Sequence, residues 1–261
     1  MTHFPLRTCA ALALSAALGA QAQTTITAWT FDNLATGVNN APAPSTGSGS
    51  AAPLGMTNNY TYSTSPPVTG SVASADVLVV SGSNNEWRVR GANPGNGWNL
   101  AAPQYTQGAQ FSASTLGYTG IVFKYDWFVT NQGVRDLQAQ YTANGSNWFN
   151  VGPLQVAVPN AYTTGITIDF GALGITAVDN DASFAVRLVS AYDPTFPGGA
   201  TYTSATLSAG SPVAYNNSSG NWRFDNVSVA GAAPVPEPTQ TALLLAGMGA
   251  LAIVARRRRQ D

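Results

Sequence analysis

The segment from residue 121 to residue 129 places an apolar side chain at every second position, and this pattern constrains the fold more than any other feature of the chain. Its apolar face is formed by Ile121, Phe123, Tyr125, Trp127 and Val129, with Lys124 and Asp126 on the opposite face. Successive side chains of a β-strand point to opposite faces, so the pattern predicts a half-buried strand in the middle of a sheet.

Strand signals recur along the rest of the chain, separated by turn residues and without helical periodicity. They cover residues 24–31, 76–80, 86–90, 109–114, 120–129, 137–142, 147–151, 165–170, 184–190 and 221–229. Together these segments predict an all-β domain.

A β-hairpin is predicted where the strand signals 137–142 and 147–151 flank an Asn-Gly turn. This hairpin (QYTANGSNWFNVG) resembles the strand–turn–strand unit of jelly-roll modules of the galactose-binding and carbohydrate-binding kind. The last strand signal, WRFDNVSV at 222–229, is similar to the closing strand of the same modules. The resemblance implies a jelly-roll β-sandwich over residues 23–233. Residues 35–75, rich in Pro, Gly, Ser, Thr and Asn, could instead be a long surface loop or a tether.

The N-terminus has the parts of a bacterial signal peptide. Residues 1–7 carry the positive charge of Arg7, and an apolar run of about ten residues follows over 9–18. Such a run is too short to span a membrane. The small residues Ala20 and Ala22 then predict cleavage by signal peptidase, which would remove residues 1–22.

The C-terminus has three parts in a fixed order: a Pro-rich spacer at 234–238, an apolar stretch and a basic end. Taken from residue 239 to 255, the stretch would form a helix of roughly 25 Å, which predicts a single transmembrane helix. The arginines would hold its end on the cytoplasmic side, so the folded domain would face outward. The predicted anchor includes Leu243, Leu244 and Leu245 in the apolar stretch and Arg256, Arg257, Arg258 and Arg259 at the end.

The sequence Pro236-Glu237-Pro238, followed by the apolar stretch and the arginines, resembles the PEP-CTERM sorting signal, a tail also labelled an ice-binding protein C-terminal domain. The resemblance implies that an exosortase, a membrane-embedded cysteine transpeptidase, recognises and processes residues 234–261. It also implies transient anchoring in the inner membrane, followed by delivery to the cell surface or the extracellular matrix of a Gram-negative bacterium that makes exopolysaccharide. The tail does not state what the exported domain does.

The only histidine, His3, and the only cysteine, Cys9, both lie in the predicted signal peptide. A mature chain without either residue type excludes a Ser-His-Asp triad, a cysteine nucleophile, a His- or Cys-ligated zinc and any disulfide. Residues 23–233 hold ten acidic and six basic residues. This mildly acidic balance argues against nucleic acid as a partner, because phosphates need Lys and Arg clusters.

A pair of carboxylates, as in glycoside hydrolases, is the catalytic chemistry that this composition leaves open. Glu86, Asp126 and Asp225 are the conceivable members, and each could equally be a strand-end or solvent-facing acid. We assign no catalytic residue and expect a non-enzymatic surface or biofilm-matrix protein that could bind exopolysaccharide. The alternatives are a carbohydrate-active enzyme, a glycosidase or lyase, and a purely structural matrix component without a specific ligand.

Four aromatic residues, Trp87, Trp98, Tyr105 and Trp148, stand beside Asn, Gln or Gly near predicted loops. Aromatic faces stack on the apolar faces of pyranose rings, so these residues are candidate sugar contacts. The alternative for each is packing in the core, where tryptophan is highly buried on average.

The pattern Trp-x-Phe-Asp-Asn occurs at 29–33 and again at 222–226. Modules whose closing strand resembles this one frequently hold a calcium ion between the first and last strands, which implies Asp225 as a ligand, with Asp32 as a second candidate. The alternative is that both Asp-Asn pairs are turn formers bonded to nearby backbone. A weaker rival calcium site is the segment 179–181, which opens like an EF-hand loop but lacks Gly at the sixth position and an acid at the twelfth.

Overall fold

The computed structural model describes residues 22–57, 59–63, 85–91, 97–197, 200–208, 211–214, 220–233 and residue 256. The predicted signal peptide up to residue 21, the predicted strand 76–80 and the sorting tail other than residue 256 lie outside these residues. Among the described residues, no helix is long and apolar enough to cross a membrane.

The described residues form β-strands in two main sheets, which confirms the predicted all-β sandwich. In chain order the strands are β1 (Gln23–Trp29), β2 (Gly37–Val38), β3 (Ser50–Leu54), β4 (Tyr60–Ser63), β5 (Asn85–Val89), β6 (Gly108–Ser112), β7 (Thr119–Val129), β8 (Asp136–Thr142), β9 (Phe149–Val156), β10 (Ala161–Asp169), β11 (Ala185–Ser190), β12 (Thr203–Ser208), β13 (Ser211–Ala214) and β14 (Trp222–Ala232).

Strand pairing is antiparallel in both sheets. The larger sheet has the order β10-β7-β14-β5-β4-β2, and β1 also pairs with β14. The smaller sheet has the order β3-β6-β11-β8-β9, and a separate ribbon joins β12 to β13. The first and last strands of the domain therefore lie side by side, with Trp29 opposite Val227.

Strand β7 is central, as its period-2 pattern predicts, because it lies between β10 and β14. Its alternate residues from Ile121 to Val129 are buried and Lys124 is exposed. Asp126 is only 2% exposed, although it lies on the outer face of the sheet. The outer face of the larger sheet is therefore partly shielded from solvent at this position.

Aromatic rings fill the space between the two sheets. Phe111 of the smaller sheet lies 5.3 Å from Trp29, 5.9 Å from Trp87 and 6.0 Å from Phe224, measured between ring centroids. Three of these four rings come from the larger sheet, so the contacts join the two layers. Offset and edge-to-face ring pairs of this kind add about 0.5–1.5 kcal/mol each beyond the burial of their area.

Part of the segment 35–75 belongs to the sandwich, whereas its composition left a loop or a tether open. Strand β3 forms one edge of the smaller sheet by pairing with β6, and β4 pairs with β5 in the larger sheet. Pro53 lies in β3, where it faces Ala109. Proline is tolerated there because an edge strand needs hydrogen bonds on one side only.

Candidate functional site

A row of side chains crosses the outer face of the smaller sheet. Through the strand register, the row runs from β3 to β9 as Ala52, Gln110, Arg187, Gln140 and Asn150. The residues next to them along each strand belong to the buried core, namely Ala51, Phe111, Val186, Ala139 and Val151. Because neighbouring side chains of a strand point to opposite faces, the row points away from the core. We call these five residues the polar row.

Hydrogen bonds within one strand and between neighbouring strands hold the polar row in place. Arg187 Nε donates to Gln110 Oε1 over 2.9 Å, and Gln110 Nε2 donates to Ser112 Oγ over 3.1 Å. Gln140 Nε2 donates to Asn150 Oδ1 over 2.9 Å. The side chains are thereby fixed before any ligand arrives, which lowers the entropic cost of binding.

Trp148 lies over the polar row from the turn between β8 and β9. The guanidinium carbon of Arg187 stands 3.6 Å from the centroid of the indole, a close cation–π contact. The predicted hairpin is confirmed, since β8 and β9 pair across this turn. In the turn, Asn144 Oδ1 accepts hydrogen bonds from the backbone N–H groups of Ser146 and Asn147. This turn holds the half-buried Trp148 beside Arg187.

Small side chains border the polar row on one side. Ser50, Ser112, Ala185 and Thr142 form the neighbouring row of the same face. At the β3 and β6 end this row opens into a pocket of about 300 Å³. The pocket is lined by Ser48, Gly49, Ser50, Ser112, Ala113, Ser114, Ala182, Ser183 and Phe184. The face therefore combines an aromatic ring, amides and hydroxyls, the groups that recognise sugars.

The four predicted aromatic candidates divide between core and surface. Trp87 and Trp98 have no exposed area, so the expectation that their rings are open to a sugar is wrong. Trp87 packs against Phe111 in the core, and Trp98 lies 4.6 Å from Trp222 between ring centroids. Tyr105 is half-buried before β6 with a positive φ of 70°, outside the polar row. Only Trp148 reaches the polar row.

The three candidate acids lie on adjacent strands of the larger sheet, on its outer face. Asp225 on β14 is the register partner of Asp126 on β7, and Glu86 belongs to β5, the other neighbour of β14. All three are at most 2% exposed. The sequence thus identified acids that lie close together, but they are on the sheet opposite the polar row.

Each of these acids is held by protein groups. Glu86 accepts a hydrogen bond from the Tyr162 hydroxyl and lies 2.6 Å from Arg223 Nη1. Burial raises the pKa of Glu86 above its ordinary value, and the Arg223 charge partly offsets this effect. The pKa of Tyr162 is well above its ordinary value because the phenol is buried beside Glu86.

The other two acids accept hydrogen bonds from backbone N–H groups and from the side chain of Asn226. Asp126 Oδ1 accepts from the backbone N–H of Gly165 over 2.6 Å, and its Oδ2 accepts from Asn226 Nδ2 over 3.0 Å. Asp225 Oδ1 accepts from the backbone N–H of Asn226 over 2.8 Å. These contacts fix a β-bulge at Asn226, whose φ is 47°. The arrangement is that of a structural network.

Asp32 and Asp225, the residues of the expected calcium site, both lie near the point where β14 changes its pairing from β5 to β1. Asp32 Oδ1 accepts from the backbone N–H of Asn85, the first residue of β5. Asp225 lies on β14 between the residues that pair with β5 and those that pair with β1. In the described part of the chain, no three acidic, histidine or cysteine side chains are grouped to hold a metal. A calcium ion here would therefore take most of its oxygen ligands from backbone carbonyls.

The rival segment 179–181 is a loop that supports the turn between β6 and β7. Asn180 Oδ1 accepts from the backbone N–H of Gly117, and the carbonyl of Asp181 accepts from the backbone N–H of Thr115. Asp181 Oδ1 accepts from the backbone N–H of Ser183. Loop-to-loop bonding accounts for these side-chain contacts.

Sequence reasoning missed Gln110, Arg187, Gln140 and Asn150. A signal was present in β8, where Leu137, Ala139 and Tyr141 alternate with Gln138 and Gln140. The alternation indicates a polar outer face, but the strand order that brings Arg187 beside Gln140 depends on contacts distant in sequence.

Comparison with known proteins identifies the tail and gives distant likenesses for the domain. The profile of the PEP-CTERM protein-sorting motif matches residues 234–259. No curated protein matches the chain.

Three solved structures are similar in outline. The CBM22-1–CBM22-2 tandem of Paenibacillus barcinonensis Xyn10C is 8% identical with a TM-score of 0.40, over 84% of this chain and 49% of that one. The chain thus spans about half of the tandem's length. The CBM22-1 xylan-binding domain of the same protein is 7% identical with a TM-score of 0.39, over 83% and 99% of the two chains. A xylan-binding domain from CBM22, formerly called x6b, is 13% identical with a TM-score of 0.34, over 81% and 97%. The chain carries a PEP-CTERM sorting motif at the end of an all-β sandwich.

Proposed function

We propose that the exported domain binds polysaccharide through the outer face of its smaller sheet. The observation that carries this proposal is the polar row with the Trp148 indole lying over it. Amide and hydroxyl groups exchange hydrogen bonds with sugar hydroxyls, and an aromatic ring stacks on the apolar face of a pyranose. Ser50, Ser112 and the serine-lined pocket leave room for a chain of sugars at the β3 and β6 end of the row.

A binding role is favoured over hydrolysis by the placement of the acids. Glu86, Asp126 and Asp225 are buried and bonded to protein groups, and the polar row itself contains no carboxylate. A glycosidase needs two carboxyl groups that reach the scissile bond. We therefore propose a non-enzymatic role.

The sorting tail supports a proposal about location. We expect signal peptidase to remove the leader, the apolar tail to hold the protein in the inner membrane, and an exosortase to process the tail at Pro236-Glu237-Pro238. The protein would then reach the cell surface or the exopolysaccharide matrix. Mass spectrometry of the mature protein tests this: the C-terminus should be lost in cells that have an exosortase and kept in an exosortase deletion. A mature chain that still ends at Asp261 in exosortase-positive cells would contradict it.

Binding can be measured on a glycan array with the full-length protein purified in detergent, beside the Trp148→Ala and Phe149→Ala variants. Phe149 is the matched control, because it is 55% exposed and its ring contacts Tyr141 instead of Arg187. We expect Trp148→Ala to weaken binding about tenfold and Phe149→Ala to have little effect. Failure to retain any glycan would favour the structural matrix component, and release of reducing sugar would favour the enzyme.

A further inference from the structure

We propose that the polar row prefers acidic polysaccharides, and that Arg187 pairs with the carboxylate of a uronic acid residue. This inference rests on the proposed binding function and specifies the class of sugar that the site takes.

The charge of Arg187 is not neutralised by the protein groups around it. None of the ion pairs within the described residues, among them those of Arg135 and Arg223, includes Arg187. Its contacts are with neutral groups, the Gln110 amide oxygen and the Trp148 indole. The other members of the polar row are neutral, so the row carries one positive charge.

The geometry of Arg187 leaves its terminal nitrogens for a ligand. A guanidinium has five N–H donors, and the contact with Gln110 uses the one on Nε. For the two terminal nitrogens, the described part of the chain supplies no hydrogen-bond acceptor. These paired nitrogens form the fork that matches both oxygens of a carboxylate. Gln110 and Trp148 fix the orientation of this fork from two sides.

The surroundings of Arg187 strengthen an interaction with an anion. Arg187 is half-buried, and the loss of water lowers the pKa of its guanidinium below the ordinary value. An anion that replaces this water would offset part of the desolvation, and its attraction is stronger where solvent is partly excluded. The chain as a whole has a net charge of −1, so general attraction of anions by the surface would not produce the same effect.

The neighbouring hydroxyls fit the rest of an acidic sugar chain. Ser112 lies on the same face, two residues along β6 from Gln110, the register partner of Arg187, which is a spacing of about 7 Å from Gln110. A uronic acid held at Arg187 would therefore place its ring near Trp148 and the next sugar toward the serine-lined pocket. Hydroxyl groups there would bind the adjacent sugar without adding charge.

The test compares charged and uncharged forms of the same polymers. Full-length protein in detergent is titrated with polygalacturonate, alginate and hyaluronan, each beside its carboxyl-reduced neutral derivative. We expect at least one acidic polymer to bind roughly tenfold more tightly than its neutral form. Arg187→Gln should remove this preference, so that the acidic and neutral forms of each polymer bind with equal affinity. Lys124→Gln is the matched control, because it removes one exposed positive charge from the other sheet.

The possible results separate this inference from the proposed function. Equal binding of acidic and neutral forms by the wild type, or an unchanged preference in Arg187→Gln, would overturn the acidic-sugar inference alone. Loss of the preference in Lys124→Gln would also overturn it, because the effect would then come from general charge. If the wild type bound none of these polymers and no glycan on the array, both proposals would be wrong. A thermal melt of Arg187→Gln serves as the control that this variant is folded.

Discussion

Replacing Arg223 with methionine should destabilise the domain by about 3–5 kcal/mol at neutral pH, because the change leaves a buried carboxylate without its cation. Arg223 Nη1 lies 2.6 Å from Glu86 Oε1, and the two side chains are 17% and 1% exposed. After the substitution, the described hydrogen bond that remains to Glu86 comes from the Tyr162 hydroxyl. This neutral donor and the weaker attraction of the Arg88 charge do not offset the cost of a charge in this environment.

The loss can be measured by calorimetry on the full-length protein in detergent. A domain of this size loses about 2–4 °C of melting temperature per kcal/mol, so the melting point should fall by roughly 6–20 °C. At lower pH the loss should shrink, because protonation of Glu86 removes the uncompensated charge. The double variant Glu86→Gln/Arg223→Met should recover most of the stability, since it removes the acid together with its partner.

Lys124→Met provides the matched control for Arg223→Met. Lys124 is exposed on the outer face of the same sheet, so its replacement should change stability by less than about 0.5 kcal/mol. If Arg223→Met had the melting temperature of the wild type, or if the double variant lost as much stability as Arg223→Met, the ion pair between Glu86 and Arg223 would not stabilise the domain.

Three further predictions follow from particular residues. Burial raises the pKa of Glu86 above its ordinary value of 4.5, so the native state holds this proton more tightly than the unfolded chain. As pH rises above 4.5, Glu86→Gln should therefore become more stable relative to the wild type. Urea titrations measure this difference, and a variant that becomes less stable relative to the wild type over this pH range would contradict the prediction. If calcium binds at Asp32 and Asp225, a chelator should lower the melting point of the wild type and not that of Asp225→Asn; equal wild-type melting points would exclude the ion. Gly108→Ala should cost more than about 2 kcal/mol, because the added Cβ would clash with the Leu188 carbonyl oxygen, whereas the Cβ added by Gly152→Ala meets nothing within 4 Å and this change should cost less.

The central strands were predictable from sequence because each has one face in the core. In β7 this produces the alternation from Ile121 to Val129, and in β8 it produces Leu137 and Ala139 between polar residues. The strands β2 and β4 carried little signal. They are two and four residues long and lie in a segment rich in turn formers. Their pairing partners stabilise them, and those partners are distant in sequence.

The binding face could be predicted only in part. Trp148 was a candidate on local grounds, but Trp87 had the same kind of polar neighbours and is buried. Trp87 and Val89 are two residues apart on β5 and so point to the same, core-facing side of the strand. This placement separates Trp87 from Trp148 once the strand register is known. Arg187 and Gln110 are 77 residues apart, and no local pattern brings them together. The site depends on the order of strands in the smaller sheet.

A crystal structure of the protein with an oligosaccharide that it retains on the array is the most direct test of the binding face. We predict that the sugar lies on the outer face of the smaller sheet, with a ring against Trp148 and hydrogen bonds to Gln110, Arg187 and the exposed Asn150. A sugar bound to the larger sheet, in contact with Glu86 or Asp126, would contradict this assignment.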